Sequence, residues 1–317
     1  MYRVVITGPT GAIGIALIEN LIKRDISVVA VCHCNSKRIN RIPKSDRVSI
    51  VECDLENIKS LPDLVSGKCD VFYHFAWACT FGDSRNNIDA QMKNIQYTLE
   101  AVEVAKKLGC NKFIGAGSQA EYGRFEGVLN STTPTYPENG YGIAKLCAGQ
   151  MSRIRCAQLG IEHIWTRILS IYGPYDGEKT MIMSVINQLL LGQKPSCTKG
   201  EQIWDYLYSK DAAQAFYLLG ERGVSGKTYC LGSGKGKKLS NYITTIRDAI
   251  DSNMMIGFGD IPYSEKQVMH LCADISDLEK DTGFSPKYSF ETGVSETIKW
   301  VKGVNEYEEN KHYDTLL

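Results

Sequence analysis

The chain has no long apolar run, no surplus of charge of either sign and no repeat. No stretch approaches the ~18 consecutive apolar residues of a membrane helix, so nothing in it reads as a span. Its 36 Lys and Arg balance 36 Asp and Glu, which removes the basic surface that a nucleic-acid partner calls for. Low-complexity linkers are missing too. Cysteine is not scarce, with 11 in 317 residues. The count is odd and no spacing recurs, so a disulfide framework is not indicated. Cys32 and Cys34 flank His33, but no further ligands stand at metal-site spacing, and no metal is expected. Many unpaired thiols point to a reducing compartment. The first residues, Met1-Tyr2-Arg3-Val4-Val5-Ile6-Thr7-Gly8, enter an apolar β-type run at once and lack the pattern of a secretory leader. The expectation is a soluble cytoplasmic protein with neither membrane nor nucleic-acid partner.

What is present is an ordinary globular composition, 43% hydrophobic and 23% charged. Apolar runs at 4–7, 28–32, 48–53, 71–75, 112–116 and 162–169 read as buried strands. Between them, Ile15, Leu17, Ile18, Leu21 and Ile22 recur at helical spacing. So do Ile88, Met92, Ile95, Leu99, Val102 and Ala105, which mark one face of a long helix, and 141–159 reads as another. Strands alternating with helices predict an α/β fold, a doubly wound parallel sheet of the Rossmann type, over residues 1–170. After about Gly173 the pattern loosens. Helices are expected near 181–191, 211–221, 239–250 and 291–301, among short strands and glycine turns. This predicts a smaller α/β substrate lobe over 171–317, with the chain returning to the first domain at about 203–235. The charged tail after Gly303 reads as a loose helix or as disorder.

The glycine turn carries the first chemistry. Thr7-Gly8-Pro9-Thr10-Gly11-Ala12-Ile13-Gly14 follows a strand and opens a helix. Gly8 permits the tight turn, Gly11 lets the backbone approach a pyrophosphate, and Gly14 lets the helix pack on the sheet. The pyrophosphate of a dinucleotide would lie on the helix N-terminus, against Thr10, Gly11, Ala12 and Ile13. A carboxylate just past the second strand would hold the ribose 2′-hydroxyl of NAD. The segment Cys32-His33-Cys34-Asn35-Ser36-Lys37-Arg38 has none. Ser36, Lys37 and Arg38 fit a 2′-phosphate instead, so NADP(H) is favoured, with NAD(H) the alternative and a plain solvated loop the other reading. Asp54-Leu55 stands where the adenine would meet the third strand, Asp54 being equally suited to cap a helix. Phe75-Ala76-Trp77 ends the fourth strand and should line the nicotinamide ribose, unless Trp77 is simply packing.

Tyr141 and Lys145 are four apart in Tyr141-Gly142-Ile143-Ala144-Lys145 and share one helix face. The lysine charge is expected to lower the phenol's pKa from its ordinary ~10, making Tyr141 a usable acid and base. Lys145 can also bind the nicotinamide ribose. Ser118, one strand earlier, can steady a substrate carbonyl or alkoxide oxygen. Ser118, Tyr141 and Lys145 are the expected catalytic set.

On these motifs the sequence resembles the extended short-chain dehydrogenase/reductase superfamily, in its NAD-dependent epimerase/dehydratase branch. The likeness extends through His74-Phe75-Ala76, Asn94, Tyr122-Gly123, Arg167 with Tyr172-Gly173-Pro174, and Trp204-Asp205-Tyr206 before Asp211. It implies a nucleotide-sugar substrate, and a homodimer built as a four-helix bundle from the helices at 88–108 and 141–159. The departures carry information. Family dehydratases place an Asp-Glu pair after the Ser or Thr, whereas here Gln119-Ala120 follow Ser118. Glu121 comes one position later and, in an extended segment, would point to the other side, so dehydration is not expected. Ser170 replaces a frequent Asn, and Trp204 a frequent Arg that meets substrate phosphate. Ser118, Gln119, Ser170, Lys179 and Trp204 are the expected substrate contacts. Arg167, Lys179 and Lys199 are unranked candidates for the diphosphate. The Ser-Gln-Ala-Glu-Tyr-Gly segment resembles reductases of 4-keto-6-deoxy sugar nucleotides. The resemblance therefore implies NADPH-dependent reduction at C4, with an NAD-dependent nucleotide-sugar 4-epimerase as the alternative. A non-catalytic NADP(H) sensor is the reading from another class, and the intact Ser118, Tyr141 and Lys145 argue against it.

Overall fold

The computed structural model describes residues 1–314, with side chains over 1–304. Seven strands form one parallel sheet: Arg3–Thr7 (β1), Ser27–Cys32 (β2), Val48–Glu52 (β3), Val71–His74 (β4), Lys112–Ser118 (β5), Glu162–Ile168 (β6) and Thr228–Leu231 (β7). Their spatial order is β7-β6-β5-β4-β1-β2-β3. The strand order reverses between β1 and β4, and a crevice opens there at the carboxyl ends of the strands. Register aligns those ends: Thr7 lies opposite both Val31 and His74, and His74 opposite Gly115.

The apolar runs form strands because helices cover both faces and leave no polar side to alternate with. On one face Ala12–Ile22 (α1) packs with Ser209–Arg222, around Ile15, Leu17, Ile18, Phe216 and Leu219. On the other, Ile88–Lys107 (α2) and Gly140–Leu159 (α3) pack on each other, with Ala101, Val102, Ala105 and Cys156 in the core. Both begin at side-chain caps. Asn87 accepts the Ala90 N–H at 3.1 Å, and Asn139 accepts the Gly142 N–H at 2.9 Å. The α3 helix stops at left-handed Gly160, φ 63°.

Two sequence expectations are corrected here. The run at 48–53 is not a buried strand: β3 lies at the sheet edge, and Ile50 is 45% exposed. The apolar stripe of α2 is not one buried face either. Val102 and Ala105 enter the core, whereas Ile88 and Met92 are 59% and 64% exposed, because the first half of the helix turns polar Gln91 and Asn94 into the protein instead of its apolar stripe.

Beyond β6, Ser170–Tyr172 pairs in parallel with Tyr206–Tyr208, and β7 joins the main sheet beside β6. A third core gathers Met181–Leu190 (α4), Leu239–Ile250 and Phe290–Asp314, around Ile186, Ile246 and Val294. Ile203–Trp204 lies in a small sheet with Lys237–Lys238, His270–Ala273 and Val128–Leu129. The last helix continues well past the expected 301, and 315–317 fall outside the described residues. No helix among the described residues is long and apolar enough to cross a membrane.

Candidate active site

The glycine turn is built as its spacing implies, with one change of role. Gly8 has φ 68°, and a Cβ there would meet the Ala76 backbone nitrogen at 2.8 Å. Only glycine allows β1 to turn this close to the end of β4. A Cβ on Gly14 would lie 2.7 Å from the Gly8 carbonyl oxygen, so Gly14 makes room for the turn's own carbonyls rather than for the sheet. Gly11 is the N-cap of α1, provides no side-chain cap, and has nothing within 4 Å of an added Cβ. The first N–H groups of α1 are thus left to a ligand.

A cavity of about 330 Å³ elsewhere on the sheet is lined by Glu121, Arg153, His163, Trp165, Arg167 and Lys227. The cavity at the crevice holds about 300 Å³, and its walls include Gly8, Thr10, Ser36, Asp54, Leu55, Ala76 and Trp77. These are residues the sequence assigned to a dinucleotide, and a cradle with bare glycine backbone and uncapped N–H groups suits a pyrophosphate. Lys37 and Arg38 are exposed on the loop beside it. The structure adds what the sequence did not show: carboxylates from the end of β3 brace this loop. Asp54 accepts the Cys34 N–H at 2.9 Å, and Glu52 accepts the Asn35 N–H at 2.7 Å. Asp54 stands at the N-cap position of the turn Leu55–Ser60 but makes no side-chain cap bond. At the end of β4, buried His74 is bonded to Thr7 at 2.9 Å, and burial pushes its pKa down to about 3. Asn94 of α2 holds both backbone groups of Ala78, at 3.0 and 2.9 Å. The loop carrying Trp77 is thereby fixed from two sides.

Ser118, Tyr141 and Lys145, the residues expected to react, come together at the end of β5 and the start of α3. Ser118 closes β5, and its oxygen accepts the Ala120 N–H at 3.2 Å, which leaves its proton free to be donated. Trp77 meets Tyr141 edge-on, with ring centroids 6.2 Å apart, and donates its indole N–H to Gln91 at 2.9 Å. Lys145 is 3% exposed, donates to the Ala116 carbonyl at 2.5 Å, and places its Nζ 3.7 Å from the centre of the Trp77 ring. Trp77 is therefore part of the centre, in contact with both partners of the Tyr-Lys pair.

The charge logic differs from the sequence expectation. Burial pushes the Tyr141 phenol above its ordinary value, opposed by the neighbouring Ser118 hydroxyl and the Arg85 guanidinium. Lys145 donates to the Ala116 carbonyl with its Nζ 5.8 Å from the centre of the Tyr141 ring, and burial brings Lys145 itself down to about 7. Arg85, which the sequence reading missed, lies 4.8 Å over the Tyr141 ring. Only its place in the loop after β4 could have drawn notice.

The residues expected to meet substrate fall into two groups. Ser170 and Trp204, distant in sequence, meet: the indole N–H donates to the Ser170 oxygen at 2.8 Å. Gln119 is half-buried beside Ser118, whereas Lys179 and Lys199 are exposed on loops. Arg167 is 5% exposed and bound to Glu121 at 2.9 Å. The segment 119–121 is a 3-10 turn, not extended chain, because Ser118 and Glu121 form a reciprocal capping box. The Ser-x-x-Glu spacing was the signal for it. Glu121 still turns away into the protein, 0% exposed.

Three comparisons bear on this geometry. The dTDP-glucose 4,6-dehydratase of Salmonella typhimurium is 25% identical over 335 residues, covering 94% of this chain and 92% of that protein. The dTDP-4-dehydro-6-deoxyglucose reductase of Escherichia coli is 26% identical over 313 residues, covering 94% and 97%. Among solved structures, a UDP-N-acetylglucosamine 4-epimerase from Methanobrevibacter ruminantium superimposes with a TM-score of 0.86 at 23% identity, over 95% of this chain and 98% of that one. The model of the NAD dependent epimerase/dehydratase family matches residues 4–232, from β1 through the end of β7, and with the glycine turn and the Ser118, Tyr141 and Lys145 centre inside that span, the chain belongs to this family.

Proposed function

We propose that the protein reduces the 4-keto group of a nucleotide-linked 6-deoxyhexose at the expense of NADPH. The observation that carries this reading is the active centre's supply of protons and its lack of a free carboxyl group. Dehydration needs an acid beside the sugar to expel a hydroxyl, and Gln119 and Ala120 occupy those positions. Glu121 is fully buried and committed to other partners. What remains is a phenol and a serine hydroxyl at the place where a ketone oxygen would lie. The similarity to a relative named as a 4-dehydro-6-deoxyglucose reductase supports the same reading.

Gly8, Thr10, Gly11, Ala12, Ile13 and Gly14 would hold the pyrophosphate, and Ser36, Lys37 and Arg38 the 2′-phosphate. Asp54 and Leu55 would meet the adenine, and Phe75, Ala76, Trp77 and Lys145 the nicotinamide riboside. The chemistry supplied by a bound reduced nicotinamide is a hydride to the ketone carbon. All else falls to side chains of this chain. Tyr141 gives its proton to the ketone oxygen as the C–O π pair moves onto it, and the ketone becomes an alcohol. Ser118 donates a hydrogen bond to that oxygen as charge develops. Lys145, titrating near neutral pH, can return a proton to the phenolate. Gln119, Ser170, Trp204 and Lys179 would face the sugar nucleotide.

A second reading is favoured by one observation. Asp54 and Glu52 reach the loop after β2, where a carboxylate suits the 2′-hydroxyl of NAD. That is the setting of a 4-epimerase with retained NAD. The segment 32–38 itself holds no acid and exposes Lys37 and Arg38, which suits a 2′-phosphate and favours the reductase. The exposed Ile88 and Met92 of α2 and Ile143, Met151 and Ile154 of α3 would close a homodimer as a four-helix bundle. The test is NADPH oxidation at 340 nm with dTDP-4-dehydro-6-deoxyglucose. Stoichiometric loss of absorbance supports the reductase, and its absence, with interconversion of UDP-hexose C4 epimers, supports the second reading.

A further inference from the structure

Glu121 and Arg167 form a buried ion pair that the reaction above does not use. The Glu121 Oε1 accepts the Ser118 N–H at 2.8 Å and the Trp165 indole N–H at 2.9 Å, and its Oε2 accepts the Arg167 Nε–H at 2.9 Å. Burial pushes this carboxyl up, while Arg167, Trp165 and the Ser118 N–H pull it down. All three contacts are donors, so a proton on Glu121 would face N–H groups, and the group is held as a carboxylate. The Arg167 guanidinium in turn lies 4.5 Å over the Tyr122 ring.

The fold makes specific room for this network. A Cβ on Gly115 or Gly117 of β5 would overlap the Trp165 ring, and one on Gly149 of α3 would come within 2.7 Å of it. Glycines from two elements thus open the slot in which Trp165 reaches Glu121. A buried charge pair contributes little net stability compared with apolar packing, which leaves its place directly behind Ser118 to be explained.

We propose, resting on the reading of Ser118, Tyr141 and Lys145 as the reacting set, that Glu121 is a positioning residue: with Arg167 and Trp165 it fixes the Ser118 backbone at the end of β5, directly behind that set.

Glu121→Gln keeps the outline of the side chain and removes the charge. Paired with Arg167→Met it also leaves no guanidinium alone, which guards against simple misfolding. Turnover is measured with NADPH and dTDP-4-dehydro-6-deoxyglucose. Both variants are expected to lose about tenfold in kcat, an ordinary coupling within one buried network. NADPH affinity, read by fluorescence titration, is expected to stay within about twofold. Unchanged kcat in both variants, or a loss matched by an equal loss of NADPH affinity, overturns the proposal and leaves Glu121 a purely structural residue. Full turnover by Tyr141→Phe instead overturns the underlying reading of the centre.

Discussion

Replacing Lys145 by methionine removes a charge while keeping most of the side chain's length. Lys145 is 3% exposed, and burial lowers its pKa from 10.5 to about 7. The unfolded chain therefore holds this proton more tightly than the folded one. Below pH 7 the folded protein carries the full cost of a buried ammonium, and as pH rises toward 10.5 that cost vanishes. A shift of this size corresponds to roughly 5 kcal/mol at pH 6 and about 2 kcal/mol at pH 9. Methionine has no such dependence. The wild type should therefore gain about 2 kcal/mol on Lys145→Met between pH 7 and pH 9, read from urea unfolding of both proteins in the same buffers. Groups that titrate alike in both cancel in the comparison. The lost bond to Ala116 adds an offset without slope. A stability difference that stays flat from pH 6 to pH 9 would refute the argument, since it would mean that Lys145 keeps an ordinary lysine pKa in the fold.

Other outcomes follow from the same geometry. Gly11→Ala meets no neighbour and should leave the protein folded, at a cost of at most about 1 kcal/mol, yet dinucleotide binding should fall more than tenfold in a fluorescence titration. Gly8→Ala, by contrast, forces a Cβ against the Ala76 backbone at positive φ and should lower the melting temperature as well as binding. Tyr141→Phe should reduce kcat by about 10²–10⁴ while dinucleotide affinity holds. Replacing Lys37 and Arg38 together by alanine should weaken NADPH about tenfold or more and leave NADH affinity unchanged.

The parallel sheet was legible because its strands are covered on both faces and read as unbroken apolar runs. The edge strand β3 was misjudged because an apolar run of that length looks the same whether one or both of its faces are covered; Ile50 is exposed only because nothing stacks beyond it. Local chemistry with fixed spacing was equally readable: the Gly8, Gly11 and Gly14 turn, and the i, i+4 placement of Tyr141 and Lys145. What spacing could not give was direction. Sharing a helix face does bring the Lys145 ammonium to 5.8 Å from the Tyr141 ring centre, but the same ammonium also meets a strand carbonyl and a tryptophan from another loop. The pairing of Ser170 with Trp204, and the reach of Asp54 and Glu52 to the loop after β2, join residues from different elements, and no periodicity encodes them. Glu121 lies between the two cases. Its capping box with Ser118 is a four-residue signal, while its partner Arg167 comes from the neighbouring strand.

Cofactor identity and its fate in turnover separate reduction from epimerisation most directly. Purified protein is denatured to release any dinucleotide, and ligand-free protein is then titrated with NADPH and NADH before addition of dTDP-4-dehydro-6-deoxyglucose. Little retained dinucleotide, preferential binding of NADPH and its oxidation in step with loss of the ketone are the predicted result. Stoichiometric retained NAD, with no net oxidation of added NADPH, would contradict it.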